Sequence, residues 1–396
     1  MTYLRSLSAA GFAATAISFG PARMGFGLFV PEFRAEFSMS TSTVGYVSSL
    51  GFLGFFLGLL VAEWLLLRRG PGLAVLSGLA AATAGLATVA LAPNVLVLTA
   101  GVFLAASSAG FAWTPFNDAV HRKIHEVDRP TALSCISTGT SVGIAVAGLV
   151  ALAMALSGFG WRLCWAIFAG LGVVALVANR ASLRHVEKAA DNGPRRGWRD
   201  LVGPGSVPLF AVAFVFGITS AIYIAFAADR FSDGGGVSGI PVGATAAAVF
   251  IAYGLFGLAG LFTGRLRDFI GLAWLLRLLF VTGALSAALV ALLPGSWIGL
   301  AGSAGLQGIN VMMTSAVLAF WSERLFPAFP SLGFTAVVLA TALGNIIGPA
   351  AAGAVSDSWG AEPMFLATAA LSGIAAVALR TEMAVNAVPA AQRSAT

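Results

Sequence analysis

The chain has 396 residues, 58% of them hydrophobic and 10% charged, with a mean hydropathy of +0.92 and a formal net charge of +6. So apolar a composition excludes an ordinary soluble domain. The basic excess lies in short segments between apolar runs, with no basic-aromatic stripe of the kind that binds nucleic acid.

In chain order, twelve apolar segments are expected to cross a membrane: 7–31, 43–66, 72–91, 95–117, 131–156, 161–179, 207–228, 242–264, 272–293, 297–320, 332–355 and 362–380. Most approach the ~20 residues needed to span a hydrocarbon core of ~30 Å. The first run follows Arg5 and continues past Gly20 to Pro31 without a convincing cleavage site, so it reads as a retained helix rather than a leader. In the tenth, Gln307 and Asn310 interrupt the apolar pattern. Cys135 and Cys164 fall in apolar runs with no metal or redox spacing and read as packing residues.

Lys and Arg set the expected orientation. With the N-terminus in the cytoplasm, 18 of the 22 fall in cytoplasmic segments, Arg34, Arg162 and Arg230 fall outside, and Arg23 lies within the first helix. Both termini are therefore expected inside. The organisation is a six-helix bundle over 1–180, a basic cytoplasmic linker over 181–205, and a second six-helix bundle with a short tail over 206–396. Pro194, Gly203 and Pro204 argue against one continuous helix in the linker.

The two halves repeat each other. Gly51, Gly54 and Gly58 recur as Gly257, Gly260 and Gly264, and Gly139, Gly143 and Gly148 recur as Gly344, Gly348 and Gly353. Small residues at this spacing let membrane helices approach closely. An apolar chain that repeats itself at half its length is a common construction of secondary transporters.

With these helices, repeats and loops, the chain resembles the major facilitator superfamily. That family carries an Arg-rich G-x3-D-x2-G pattern after its second and eighth helices. The second copy is present as Gly264, Arg265, Arg267, Asp268 and Gly271. The first departs from it, with Ala62 at the acidic position, Glu63 beside it, and Arg68 and Arg69 following. The eleventh segment also fits, with Gly344, Gly348-Pro349, Gly353, Asp357 and Gly360, whereas the fifth has Ile144 where Pro349 stands. Gly20-Pro21-Ala22-Arg23-Met24-Gly25-Phe26, ending at Pro31, is similar to the Arg-aromatic signature of the bacterial YbfB/YjiJ-type branch. The resemblance implies an all-α membrane protein of two pseudo-symmetric six-helix bundles, multi-pass in a bacterial inner membrane, that moves a small solute by alternating access. It implies a cavity lined by helices one, four, seven and ten.

Within that frame, Arg23 is the outstanding residue, a charge at membrane depth with no acid in the middle of any other segment. It reads as the counter-ion of an anionic substrate group, as a snorkelling or helix-anchoring residue, or as part of a gating pair with Glu32 or another outer acid. Other substrate-binding candidates are Phe26 on helix one, Thr114 on helix four, Tyr223 on helix seven, and Gln307 and Asn310 on helix ten, whose polar stripe must face protein or water. Inter-helix hydrogen bonding is the alternative for the last two, and packing for the phenylalanines. A charged group comprising Glu63, Asp118, Arg265, Arg267, Asp268, Glu323 and Arg324 reads as a cytoplasmic gate that latches the halves shut when the protein opens outward. Its alternative is a set of weak, solvated ion pairs.

Asp229, at the outer end of helix seven, is the candidate for proton coupling. The G-x-S-x-G pattern at Gly139–Gly143 lies inside a membrane helix without a base, and His121, His125 and Glu126 lack the H-E-x-x-H arrangement. No enzymatic activity, cofactor or metal is therefore expected, and no G-x4-G-K-[ST] marks an ATP site. The expected partners are a small-molecule substrate, a coupling proton where transport is driven, and membrane lipid, with the protein acting as a monomer. The favoured cargo is a small organic anion or zwitterion; efflux of amphipathic or drug-like compounds is the alternative.

Overall fold

A computed structural model of the chain describes residues 3–184, 186, 201, 203, 205–327 and 329–379. Most of the expected 181–205 linker, with Lys188, Arg195, Arg196 and Arg199, and the tail from 380 onward lie outside the described residues.

The structure is all-α. Helix α1 begins as Tyr3–Ile17, widens into a π-helical stretch at Ser18–Met24 and closes with one turn at Gly25–Leu28. Then come α2 (Thr41–Arg69), α3 (Pro71–Ala90), α4 (Val95–Lys123), α5 (Glu126–Ser157) and α6 (Trp161–Leu183). The second half holds α7 (Val207–Asp233), α8 (Val242–Ile270), α9 (Leu272–Leu292), α10 (Trp297–Leu325), α11 (Pro330–Trp359) and α12 (Ala361–Ala378). Among the described residues, 11 helices are long and apolar enough to cross a membrane, and the broken α1 makes the twelfth.

Two features differ from the sequence reading. Most helices that end on the basic face run past their apolar segments, as α4, α8 and α10 do to Lys123, Ile270 and Leu325. Their final turns are polar, and hydropathy does not register them. The first segment also does not end at Pro31. The chain breaks at Phe29 (φ −108, ψ 13) and resumes as a short outer helix, Val30–Phe37. Pro31 lies in the first turn of that helix, where its missing N–H has no partner to lose.

Local chemistry sets the boundaries. The Ser40, Asn94 and Ser296 side chains accept from the backbone N–H of Thr43, Val97 and Gly299 and start α2, the α4 helix and α10. Gly70, Gly271 and Gly360 turn α2 into α3, α8 into α9 and α11 into α12, with φ of 83, 82 and 91 and extended ψ. That region is essentially glycine-only, which explains the final glycine of the G-x3-D-x2-G pattern.

The glycine repeats build equivalent joints in both halves. Gly139 and Gly143 of α5 lie against the α1 backbone at Phe12 and Ala16, and Gly344 and Gly348 of α11 lie against α7 at Phe214 and Ile218. The third member of each set crosses between halves: Gly148 meets Ala247 and Ile251 of α8, and Gly353 meets Thr41 and Ser42 of α2. Gly45 on Pro349, Gly254 on Ser141 and Ala145, and Gly27 on Ile224 add further backbone-close contacts between halves. The repeat is broken at one position, because Gly58 packs on Ser107 whereas Gly264 has nothing within 4 Å of where a Cβ would stand.

Candidate functional site

The turns joining α2–α3, α4–α5 and α8–α9 carry Arg68, Arg69, Arg122, Lys123, Arg265 and Arg267 and define a basic face. On the opposite face the halves are joined. Arg34, on the outer helix that extends α1, pairs with Asp229 at 2.5 Å and Asp233 at 3.1 Å, both at the end of α7. The Ser42 backbone N–H donates to Asp357 Oδ2 at 3.0 Å, and the Ala350 N–H, next to Pro349, donates to Ser49 Oγ at 3.0 Å, tying α2 to α11. Glu36 bonds Arg162 and the Trp161 indole, both at 2.6 Å, beneath an aromatic cluster that includes Phe33, Trp165 and Phe168.

Toward the basic face the halves separate around a cavity of ≈ 580 Å³. Trp113 of α4, Leu133 of α5, Leu261 of α8, Phe320 of α10 and Phe334 of α11 line it. At its inner end is Arg23, placed by the π-helical stretch that also contains Pro21; such stretches recur at functional sites. Beyond Arg23, a void of ≈ 10 Å³, about the size of one water, is lined by Phe26, Gly27, Ser48 and Ile224.

The surroundings of Arg23 are unusual for a cation. Its guanidinium lies 4.2 Å from the Phe55 ring centroid, 5.4 Å from Phe19 and 5.6 Å from Phe52. Each such contact contributes on the order of 0.5–2 kcal/mol. With the Asn345 amide oriented to satisfy its neighbours, its oxygen accepts from Arg23 Nη2 at 3.1 Å and its nitrogen donates to the Gly217 carbonyl at 2.8 Å. Arg23 Nε is enclosed and has no partner. Among the described residues no carboxylate pairs with Arg23, and it is the one charged side chain lining the cavity. Tyr253 of α8 is within electrostatic reach, and its buried hydroxyl has no partner.

Of the six substrate-binding candidates, Arg23 and Thr114 line the cavity. Phe26 stacks on Phe33 at 5.6 Å and borders the small void. The Tyr223 hydroxyl bonds Ser303 Oγ at 3.1 Å, and Asn310 Oδ1 accepts from Thr314 Oγ1 at 3.1 Å. Gln307 is buried away from the cavity wall. The polar stripe of α10 thus faces protein in this conformation. Sequence reasoning missed Asn345 and the hydroxyls of α5 that line the cavity. A lone Asn within the Gly344–Gly348 joint was a readable signal for the first.

The charged group on the basic face does not bridge the halves here. Arg122 pairs with Asp118 one turn away at 2.5 Å, and Arg267 pairs with its neighbour Asp268 at 2.7 Å while covering Phe320 at 4.4 Å. Glu63, Arg265, Glu323 and Arg324 end α2, α8 and α10 without an ion pair among the described residues.

A cavity between two pseudo-symmetric six-helix halves, open on one face and closed on the other, is the arrangement of a transporter. The Major Facilitator Superfamily profile matches residues 11–260. The chain belongs to the major facilitator superfamily. A chloramphenicol efflux pump of Mycobacterium tuberculosis strain CDC 1551 is 28% identical over 279 residues, and its counterpart in strain H37Rv is 28% identical over 281 residues. Those matches cover 69% of this chain but 59% of the relatives' own length. A mutant of the nucleoside transporter NupG superposes with a TM-score of 0.75 at 14% identity, covering 96% of this chain and 99% of that one. A bacterial homologue of the human lysosomal transporter Spinster, inward-facing and unoccupied, superposes with a TM-score of 0.74 at 17% identity, covering 98% and 97%. Among the described residues, 11 helices are long and apolar enough to cross a membrane, as a multi-pass member of this superfamily requires.

Proposed function

We propose that this transporter moves a small organic anion or zwitterion by alternating access, with Arg23 as the counter-ion. The observation that supports this most is a guanidinium at the inner end of the cavity with an unpaired Nε and no carboxylate partner among the described residues. A charge at this depth costs a few kcal/mol or more, and an unpaired buried donor adds about 1–3 kcal/mol. A carboxylate or similar oxyanion offsets both by bidentate pairing. By the positive-inside rule the basic face is cytoplasmic, so this conformation is inward-open, in a bacterial inner membrane, with the protein acting as a monomer. Glu63, Asp118, Arg265, Arg267, Asp268, Glu323 and Arg324 then face the cytoplasm, free to latch the halves once the cavity closes. Asp229 and its partner Arg34 seal the outer side, where loss of their pairing would couple a proton to opening.

The mostly apolar, aromatic lining of Phe19, Phe55, Phe216 and Phe320 favours a second reading, efflux of amphipathic compounds, in line with the chloramphenicol pumps among the relatives. Thermal-shift binding in detergent separates the two, because a ligand raises stability only as far as it binds the folded state. Small organic acids are expected to stabilise wild type and not Arg23→Gln. Equal stabilisation of both proteins by neutral or cationic amphipaths, with no response to acids, would sink the counter-ion reading and leave efflux.

A further inference from the structure

The cavity wall is chemically one-sided. Most of its lining is apolar, yet α5 alone contributes Ser134, Ser137, Thr138, Thr140 and Ser141, while α4, α7, α10 and α11 contribute one hydroxyl each. Spacings of three and four residues put Ser134, Ser137, Thr138 and Ser141 on one face of a helix. Seven residues at 1.5 Å make a strip about 10 Å long, running from the basic face toward Arg23. The Gly20–Gly143 contact between the parallel α1 and α5 places the inner end of this strip about five residues, or ~7.5 Å along the helix axis, from the level of Arg23.

Two of the four hydroxyl protons of this strip are committed to the helix backbone. Ser137 Oγ donates to the Ser134 carbonyl at 2.9 Å and Thr138 Oγ1 to the same carbonyl at 2.8 Å. Across the cavity, Ser315 donates to Val311 at 2.8 Å and Thr341 to Val337 at 3.0 Å. A hydroxyl whose proton is held by its own helix offers lone pairs to the cavity and acts there as an acceptor. Ser141 differs from Ser137 and Thr138. It is 3% exposed, lines the cavity and has no hydrogen-bond partner among the described residues.

We propose that the α5 strip is a donor-recognising subsite, so the cargo is an organic acid carrying O–H or N–H groups along its body, its anionic end at Arg23 and its donors against Ser137, Thr138 and Ser141. This rests on the reading of Arg23 as the counter-ion. The acceptor-rich wall explains what a single cation leaves open, namely how a hydroxylated or amine-bearing acid is distinguished from a plain fatty acid of equal length. A site built to hydrogen-bond donors rejects an analogue lacking them, because its groups are then desolvated without partners.

The test compares gluconate with hexanoate by thermal-shift titration of the full chain in detergent, in wild type, Ser137→Ala/Ser141→Ala and Arg23→Gln. Alanine suits both helical positions, so the double variant is expected to fold, and its unliganded melting temperature verifies this. In wild type, gluconate is expected to bind about tenfold or more tighter than hexanoate, the equivalent of one or two net hydrogen bonds. The double variant is expected to lose most of that ratio by weakening gluconate alone, and Arg23→Gln to weaken both acids. Equal affinity of the two acids in wild type, or a ratio that survives in the double variant, overturns the subsite while leaving Arg23 as counter-ion. Affinities for both acids that stay unchanged in Arg23→Gln overturn the counter-ion and keep the strip. Absence of binding by either acid to wild type overturns both.

Discussion

At the scale of single residues, Arg23 is held by three aromatic faces and one amide oxygen, none of which neutralises it. That arrangement is sensitive to one substitution. Asn345→Asp replaces the amide 3.1 Å from Arg23 Nη2 with a carboxylate. The new pair is expected to occupy the guanidinium and abolish the melting-temperature shift caused by organic acids, without lowering the stability of the unliganded protein. A full ligand response in Asn345→Asp would show that the anion does not meet Arg23. Arg23 was legible in the sequence because a lone charge in an apolar run needs no neighbour to stand out. Asn345 was not singled out, because its role depends on which face α11 turns toward α1, a tertiary fact. The α10 stripe was legible as polar for the same reason as Arg23. Its pairing of Tyr223 with Ser303 and of Asn310 with Thr314 depends on packing that periodicity does not encode.

At the scale of elements, the glycine joints carry the architecture, and their equivalence was readable from the repeat. What each glycine touches was not. Gly58 and Gly264 are repeat partners, yet one lies on the Ser107 backbone and the other faces open space. Gly58→Val is therefore expected to destabilise the protein by about 1–3 kcal/mol through overpacking. Gly264→Ala is expected to leave the melting temperature in detergent within about a degree. Equal losses in the two variants would show that Gly264 is packed in the state that predominates in solution. The break in α1 was hidden for a different reason. A proline near an apolar boundary can end one helix or begin the next, and only the contact of the outer helix with α7 decides for Pro31.

At the scale of the whole molecule, the closed face concentrates charge and the open face leaves its charges within each half. Arg34 bridges to Asp229 and Asp233, and beside them Glu32 has an enclosed Oε2 with no partner. Asp229→Asn is expected to weaken this seal and increase labelling of a cysteine placed at Ser48 by an impermeant reagent added from outside, several-fold relative to the same cysteine with Asp229 intact. Unchanged labelling would show that Arg34–Asp229 does not hold the face shut.

Acid is expected to act on the same seal. Burial above all, with Asp229 beside it, pushes the Glu32 carboxyl from an ordinary 4.5 up to about 7. The closed face therefore holds a proton that an open, hydrated face releases. Closure is favoured below the ordinary value and loses that contribution as pH rises toward and through about 7. Outside labelling at position 48 is expected to rise between pH 5 and pH 8, and Glu32→Gln is expected to flatten the profile. Arg34, Asp229 and Asp233 face the same cluster, so a slope that survives in Glu32→Gln would move the titration to the aspartates.

The contacts between halves at Gly45, Gly148, Gly254 and Gly353 are made largely by main chain on main chain. Surfaces without interlocking side chains part and re-form like the faces of a plain bearing, since no rotamer has to leave its well for one to roll over the other. Under the alternating access proposed above, friction in the rocking motion then resides at the two rims, where ion pairs and aromatic side chains must separate. The speed of the cycle is therefore tunable by substitutions at the rims that leave the axle untouched.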